Sequence, residues 1–153
     1  MSTVVFTKIC ALLDEQGIEY QKFNHEPTRT SEDAARIRGV DLHAGAKALV
    51  VRGSKTKNHS LCVIPADLRL DGKKVRNLIG ENISFAQDPE TVTGCVPGSV
   101  PPLGSVLGLK TLCDKRLAEV PIINFNAGSL TDSIEMKYTD YLIVENPQLV
   151  DIT

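Results

Sequence analysis

The chain has 153 residues, 42% hydrophobic and 24% charged, with no tryptophan and a formal charge of −2. That length suits one domain spanning residues 1–153, with enough chain to bury a core without disulfide or metal staples. Near-neutral charge and only 5% aromatic residues exclude a protein that coats DNA or stacks single strands on rows of rings; a small basic patch on one RNA end, drawn from residues such as Arg29, Arg36, Arg38, Lys73, Lys74 and Arg76, stays open.

The first segment has helical spacing. Val4, Val5, Ile9, Leu12 and Leu13 fall on one face, Ser2 or Thr3 is placed to cap it, and Gly17 ends it. "IEYQKF" (18–23) alternates as a half-buried strand does. "TSEDAARIRG" predicts a short helix with Thr30 or Ser31 as cap, acids in its first turn and Gly39 as stop. "AKALVVRG" and "HSLCVIPA", separated by the polar "SKTKN", predict a hairpin. A helix over Lys73–Leu78 ends at Gly80; "ISFA" is a short strand, and "DPETVTG" a helical turn with Pro89 at its first position. "VLGLKTLCD", "VPIINFNAG" and "DSIEMKY" then read as strands, and "TDYLIVENPQ" as a closing helix capped by Thr139 or Asp140. This mixture, without regular strand–helix–strand alternation, predicts an α+β fold: a curved, mixed, mostly antiparallel, barrel-like sheet flanked by helices.

The four cysteines, at positions 10, 62, 95 and 113, form no CxxC pair and fit no zinc spacing, and no GxGxxG, P-loop or HExxH motif occurs, so no cofactor is expected. Cys10 and Cys62 lie in apolar runs and read as small buried hydrophobes of a reducing compartment. The N-terminal stretch lacks the basic start of a signal peptide, and no apolar run is long enough to span a membrane. A cytoplasmic protein is the expectation.

Two features carry chemistry. Lys47 opens the apolar run of "AKALVV", where a buried ammonium is costly; it either snorkels at a sheet edge or points into a polar cavity. The stretch "TGCVPGSVPPLG" (93–104) holds three glycines, three prolines and no charge. Its glycines permit positive φ and close backbone approach, and its prolines remove competing N–H donors. Such a loop either presents main-chain amides to a carbonyl, a carboxylate or a developing oxyanion, or serves as a rigid crossover. Cys95 inside it has no histidine signature beside it and is set aside as a nucleophile. No side chain stands out as a general base. His25 reads as capping the turn before Pro27, and Thr28 and Thr30 as caps rather than ligands.

"GAKALVV", "VIPADLRLDGKKV", "TGCVPGSVPPLG" and "FNAGSLTDSIEM", in this order and spacing, resemble the YbaK / prolyl-tRNA-synthetase-associated domain, a superfamily of aminoacyl-tRNA deacylases. The resemblance runs from about Tyr20 to Leu142. Gly98-Ser99-Val100-Pro101-Pro102 matches the GxxxP motif, and Lys47 stands where that family keeps its essential lysine. The resemblance implies metal-independent hydrolysis of the ester joining a mischarged small amino acid, of the alanine, cysteine or serine class, to the 3′ end of tRNA, tRNA(Pro) foremost, with water helped by the ribose hydroxyl and prolyl-tRNA synthetase as a possible partner. It implies Lys47 and Gly98 as catalytic, with Gly94, Ser99, Val100, Pro101 and Pro102 shaping the loop. Tyr20, Asn126, Gly128, Ser129 and Ser133 follow as pocket residues. Two departures stand out. Some members acting on alanyl esters have histidine where Asn126 stands, and cysteinyl-type members have an aspartate near Ser133, where this chain has Asp132 next door. A non-catalytic tRNA- or synthetase-binding module is the alternative; a hydrolase for small aminoacyl esters unconnected to tRNA is a third reading.

Overall fold

Apolar side chains alternate to both sides of the predicted hairpin at 46–65, and a strand that is apolar on both faces must be covered on both. The computed structural model describes residues 3–28 and 30–153. Ser2 and Arg29, and the side chain of Thr3, lie outside that description, and with them the first helix's proposed cap. In chain order the elements are α1 (Thr3–Glu15), β1 (Tyr20–Asn24), α2 (Ser31–Arg38), β2 (Ala46–Gly53), β3 (His59–Pro65), α3 (Gly72–Ile79), β4 (Ile83–Phe85), α4 (Pro89–Thr93), α5 (Gly104–Leu107), β5 (Lys110–Asp114), β6 (Ile122–Asn126), β7 (Asp132–Lys137), α6 (Tyr138–Glu145) and β8 (Gln148–Val150). Short 3-10 turns at Leu42–Ala44 and Lys115–Glu119 precede β2 and β6.

Val50, Leu61 and Val63 join one core with Ile9 and Leu13 of α1 and with Phe125, Ile134 and Tyr141. Their neighbours Val51, Cys62 and Ile64 face the other way, into a second core with Val75 of α3, Leu112, Val150 and Ile152. The strands form two sheets, a five-stranded one in the order β4-β2-β3-β5-β8 and a three-stranded one in the order β1-β7-β6. β3–β5 and β5–β8 are parallel; the remaining pairs are antiparallel. The α+β class and the mostly antiparallel pairing hold, but closure into one barrel-like sheet does not occur. The three-residue strands β4 and β8 are the two outer strands of the larger sheet and do not pair with each other. The β6–β7 hairpin recruits β1 instead of joining that sheet, and a parallel bridge, Gly45 to Asn124, links the two.

Several local expectations change. Val4 is exposed, because α1 packs through the face of Val5, Ile9 and Leu13, with Phe6 and Cys10 at its margins. β1 is an edge strand with little buried side chain, so its alternation does not mark a half-buried face. The start of "VLGLKTLCD" is helical, and Gly108 in the left-handed region separates α5 from β5. α6 begins at Tyr138 after Lys137, with no side-chain cap, so neither Thr139 nor Asp140 serves. β8 was hidden in the helical reading of the C-terminus. Cys10 is only partly buried, while Cys62, Cys95 and Cys113 are buried; all four are free thiols. Among the described residues, no helix is long and apolar enough to cross a membrane.

Candidate functional site

The site lies where the two sheets meet, and its parts arrive by ordinary local rules. Thr30 caps α2, its hydroxyl accepting from the Asp33 amide at 3.0 Å, and Gly39 ends the helix with φ +69°. That brings Arg38, in the last turn, against β6 and β7. On β6, Ile123 and Phe125 enter the core while Asn124 and Asn126 share the opposite face, as period-two geometry requires. Arg38 donates from Nη1 to Asn124 Oδ1, from Nη2 to Asn126 Oδ1, and from Nε to the buried Ser133 Oγ at 2.9 Å. His25 completes the cluster: its Nε2 lies 2.6 Å from Ser133 Oγ and its Nδ1 2.8 Å from the Glu26 carbonyl. A carbonyl only accepts, so Nδ1 carries a proton.

No carboxylate pairs with Arg38 among the described residues. Burial therefore acts on it without a counter-charge, and its guanidinium is pulled down to about 10. It remains charged at neutral pH.

Asn126 passes the arrangement on to the loop. Its Nδ2 donates to the Gly98 carbonyl at 2.6 Å. Gly98 has φ +87°, where a side chain would be strained, so glycine is required there. The loop is braced further on: Gly128 N donates to Ser99 O at 2.9 Å, Tyr141 Oη donates to Pro102 O at 2.7 Å, and Gly104 N donates to Thr111 Oγ1 at 3.1 Å. A Cβ on Gly104 would overlap the Thr111 hydroxyl and the Leu109 carbonyl. Among the described residues, no acceptor takes the Gly98 or Val100 amide.

A cavity of about 300 Å³ opens here. Lys47, exposed at the start of β2, lines it together with Gly98, Val100 and Asn126. The middle hairpin and the glycine–proline loop thus converge on one crevice. Lys47 has no hydrogen-bond or ion-pair partner among the described residues, which leaves its ammonium free for an anion. Arg38 and Asn124 line the inner wall, and alanines at 34, 35, 46 and 48 keep the walls small. Thr28 and Thr30 are on the lining too, and Asp41 stands there with a carboxylate that does not cap the turn it precedes.

The other sequence candidates sit elsewhere. Tyr20 is remote, its hydroxyl donating to Asp14 Oδ1 at 2.9 Å across the α1–β1 turn. Gly94 ends α4 in the left-handed region, away from the lining. Ser99 is buried and donates to Val96 O at 2.7 Å, so its side chain closes the loop rather than facing the cavity. Pro101 and Pro102 are buried behind the loop. Gly128 (φ +93°) and Ser129, which bonds Asp132 Oδ2 at 2.6 Å, shape the β6–β7 turn. Ser133 stands behind Arg38. Cys95 is buried and its thiol is pushed up by burial, which suits packing and not attack.

Arg38, Asn124 and Asp41 escaped the sequence reading as pocket residues. A signal existed for one of them: Asn124 and Asn126 put two amides on the same face of an otherwise apolar strand. Arg38 read as one of several cations available for a small basic patch, not as a pocket residue.

Comparison with known proteins follows the same lines. Residues 25–143 match the family model described as the aminoacyl-tRNA editing domain. The multifunctional Ser/Thr-tRNA deacylase ProXp-y of Escherichia coli K12 is 34% identical over 155 residues, covering 97% of this chain and 93% of the relative. The prolyl-tRNA editing protein ProX of Acetoanaerobium sticklandii is 25% identical over 139 residues, covering 86% and 85%. A solved structure described as a candidate trans-editing enzyme for prolyl-tRNA synthetase superposes with a TM-score of 0.82 at 23% identity, covering 97% and 96%. At that identity the superposition speaks for the fold alone.

Proposed function

The chain belongs to the aminoacyl-tRNA editing domain family, and from that premise we propose that it is a deacylase acting in the cytoplasm as one editing domain over residues 1–153. It hydrolyses the ester of a mischarged small amino acid on the 3′ end of tRNA, with tRNA(Pro) the foremost acceptor. The names of the relatives support the reaction class. The observation that carries it is the convergence of Lys47 with Gly98 and Val100 on one cavity, where neither Gly98 nor Val100 has an acceptor for its amide among the described residues.

Synthetases reject small amino acids poorly by binding alone, so a second, hydrolytic site is useful. In this reading the ester carbonyl lies against the Gly98 and Val100 amides, which stabilise the oxygen as negative charge grows on it. Lys47, the exposed cation of the mouth, holds the terminal phosphate or ribose. Asp41 accepts from the substrate's α-ammonium. The attacking water is helped by the ribose hydroxyl, as the family resemblance implies, and positioning supplies much of the acceleration because the ester is already activated.

A deacylation panel over Ala-, Ser-, Thr- and Cys-charged tRNAs tests this. Wild type is expected to deacylate at least one of them, and Lys47→Ala to lose most of that activity. Full turnover by Lys47→Ala removes the lysine from the mechanism. A stable complex with prolyl-tRNA synthetase while every ester stays intact indicates a binding module instead.

A further inference from the structure

Arg38 is a charged residue of the cavity lining that the mechanism above leaves unused. A guanidinium has five N–H donors. Three of them, one on each nitrogen, go to Ser133, Asn124 and Asn126, which leaves one N–H on each Nη without an acceptor among the described residues. Those three oxygens fix the plane and position of the group. Asn124 and Ser133 are buried, and His25 holds Ser133 from the other side. The guanidinium is therefore immobile before any substrate arrives.

Its place differs from that of Lys47. Lys47 is exposed and unrestrained at the mouth, as suits a mobile, solvated phosphate. Arg38 lies against the β6–β7 side, partly desolvated, with alanine walls nearby. A substrate ester held with its carbonyl on the loop amides and its ribose end at Lys47 has one substituent left to place on the inner wall, its side chain. The small walls admit a short one. The α-ammonium is repelled by Arg38 and turns toward Asp41.

We infer that Arg38 is a specificity-determining residue that donates a hydrogen bond to an oxygen on the β-carbon of the aminoacyl group, selecting serine or threonine over alanine. The inference rests on the deacylase reading and names its substrate class. Discrimination follows from the cost of an unmet partner. Alanine in the same position leaves the two N–H groups facing a methyl group that cannot accept, and a partly desolvated donor that loses its acceptor is expensive.

The test uses the full chain and three non-hydrolysable probes, 3′-amino-3′-deoxyadenosine acylated through an amide by serine, alanine or aspartate, beside turnover of Ser- and Ala-tRNA. Wild type is expected to bind the seryl amide about tenfold or more tightly than the alanyl amide and to show the same preference in kcat/KM. In Arg38→Met the ratio of seryl to alanyl affinity falls to near one, whatever the change in overall affinity. Arg38→Lys retains the charge without the fork and is expected to show an intermediate preference.

Equal wild-type affinity for the seryl and alanyl amides overturns the inference without any variant, so a misfolded Arg38→Met does not blunt the test. A seryl preference that survives in folded Arg38→Met overturns it, as does tighter binding of the aspartyl amide, which would make the site a carboxylate receptor. A seryl preference in binding with no hydrolysis of any tRNA leaves the inference standing and removes the deacylase reading. Hydrolysis of Ser- and Ala-tRNA at equal rates does the reverse.

Discussion

Two arginine-centred clusters, at opposite purposes, show what separates a scaffold from a site. Near the C-terminus, Arg116 lies between two carboxylates: Asp114, wholly buried, and Asp151, 2.8 Å from Nη1. Lys74 reaches the same Asp151 at 2.9 Å, and Asp114 also accepts from the Ile152 amide and the Thr153 hydroxyl. Charge is matched and the chain end is stapled to β5. Accordingly the guanidinium is raised above its usual value, chiefly by the hydrogen bond to Asp151, while Asp151 is held down to about 2, by Arg116 first and then Lys74. In the cavity, Arg38 meets only neutral oxygens among the described residues and is shifted the other way, by burial. A closed network is finished without a ligand. An open one has donors left over, and the leftover donors mark where a substrate goes.

The contrast can be broken by substitutions that separate activity from stability. The largest effect on rate is expected for Lys47→Ala, which should lower kcat/KM for the preferred tRNA by about a hundredfold or more while its melting temperature stays near wild type, because Lys47 holds nothing in the fold. A large drop in melting temperature would put Lys47 in the scaffold. Asp114→Ala is the mirror case. It orphans the Ile152 amide and leaves Arg116 partly unpaired, so chemical denaturation should show a loss of about 3 kcal/mol, with the rate per folded molecule kept at low temperature. Next comes Asn126→Ala, which releases both Arg38 Nη2 and the Gly98 carbonyl. A roughly tenfold loss in kcat/KM is expected from a loosened loop, against a small change in stability.

The smallest effect tests an exposed charge cluster outside both. His43 bridges Asp67 at 2.8 Å and Glu119 at 3.0 Å, and its pKa is raised, by the hydrogen bond to Asp67 first. Its contribution to stability is fully present below the ordinary histidine value of 6.5 and is lost as pH rises through the higher folded value. Denaturation midpoints measured across that range should fall slightly in wild type, and that component of the slope should vanish in His43→Gln. An unchanged slope would show the bridge to be inert.

Much of this was legible in the one-dimensional pattern. The hairpin at 46–65 showed itself by apolar runs around a polar turn. α2 did so by Thr30 and Gly39, and the loop by glycines and prolines without charge. These are local signals, set by backbone preference and by the period of burial, and they carried Lys47 and Gly98 with them. Tyr20 misled because a tyrosine in an alternating segment looks the same whether its strand is central or at an edge, and β1 is at an edge. Ser99 misled because loop sequence does not say which way a side chain turns, and here it turns back to Val96.

Residue order alone therefore determined the kind of elements, the stiffness of the loop and the presence of a lysine at the head of an apolar strand. Only the tertiary structure decided that the strands make two sheets instead of one, and that their junction leaves a crevice. It also decided that Arg38, an unremarkable basic residue at a helix end, is carried into that crevice and wedged among Asn124, Asn126 and Ser133. The physical reason is range. Propensity and periodicity act over a few residues, whereas the environment of Arg38 is assembled from groups 86 to 95 positions further along the chain, and desolvation depends on what surrounds a charge, not on what precedes it.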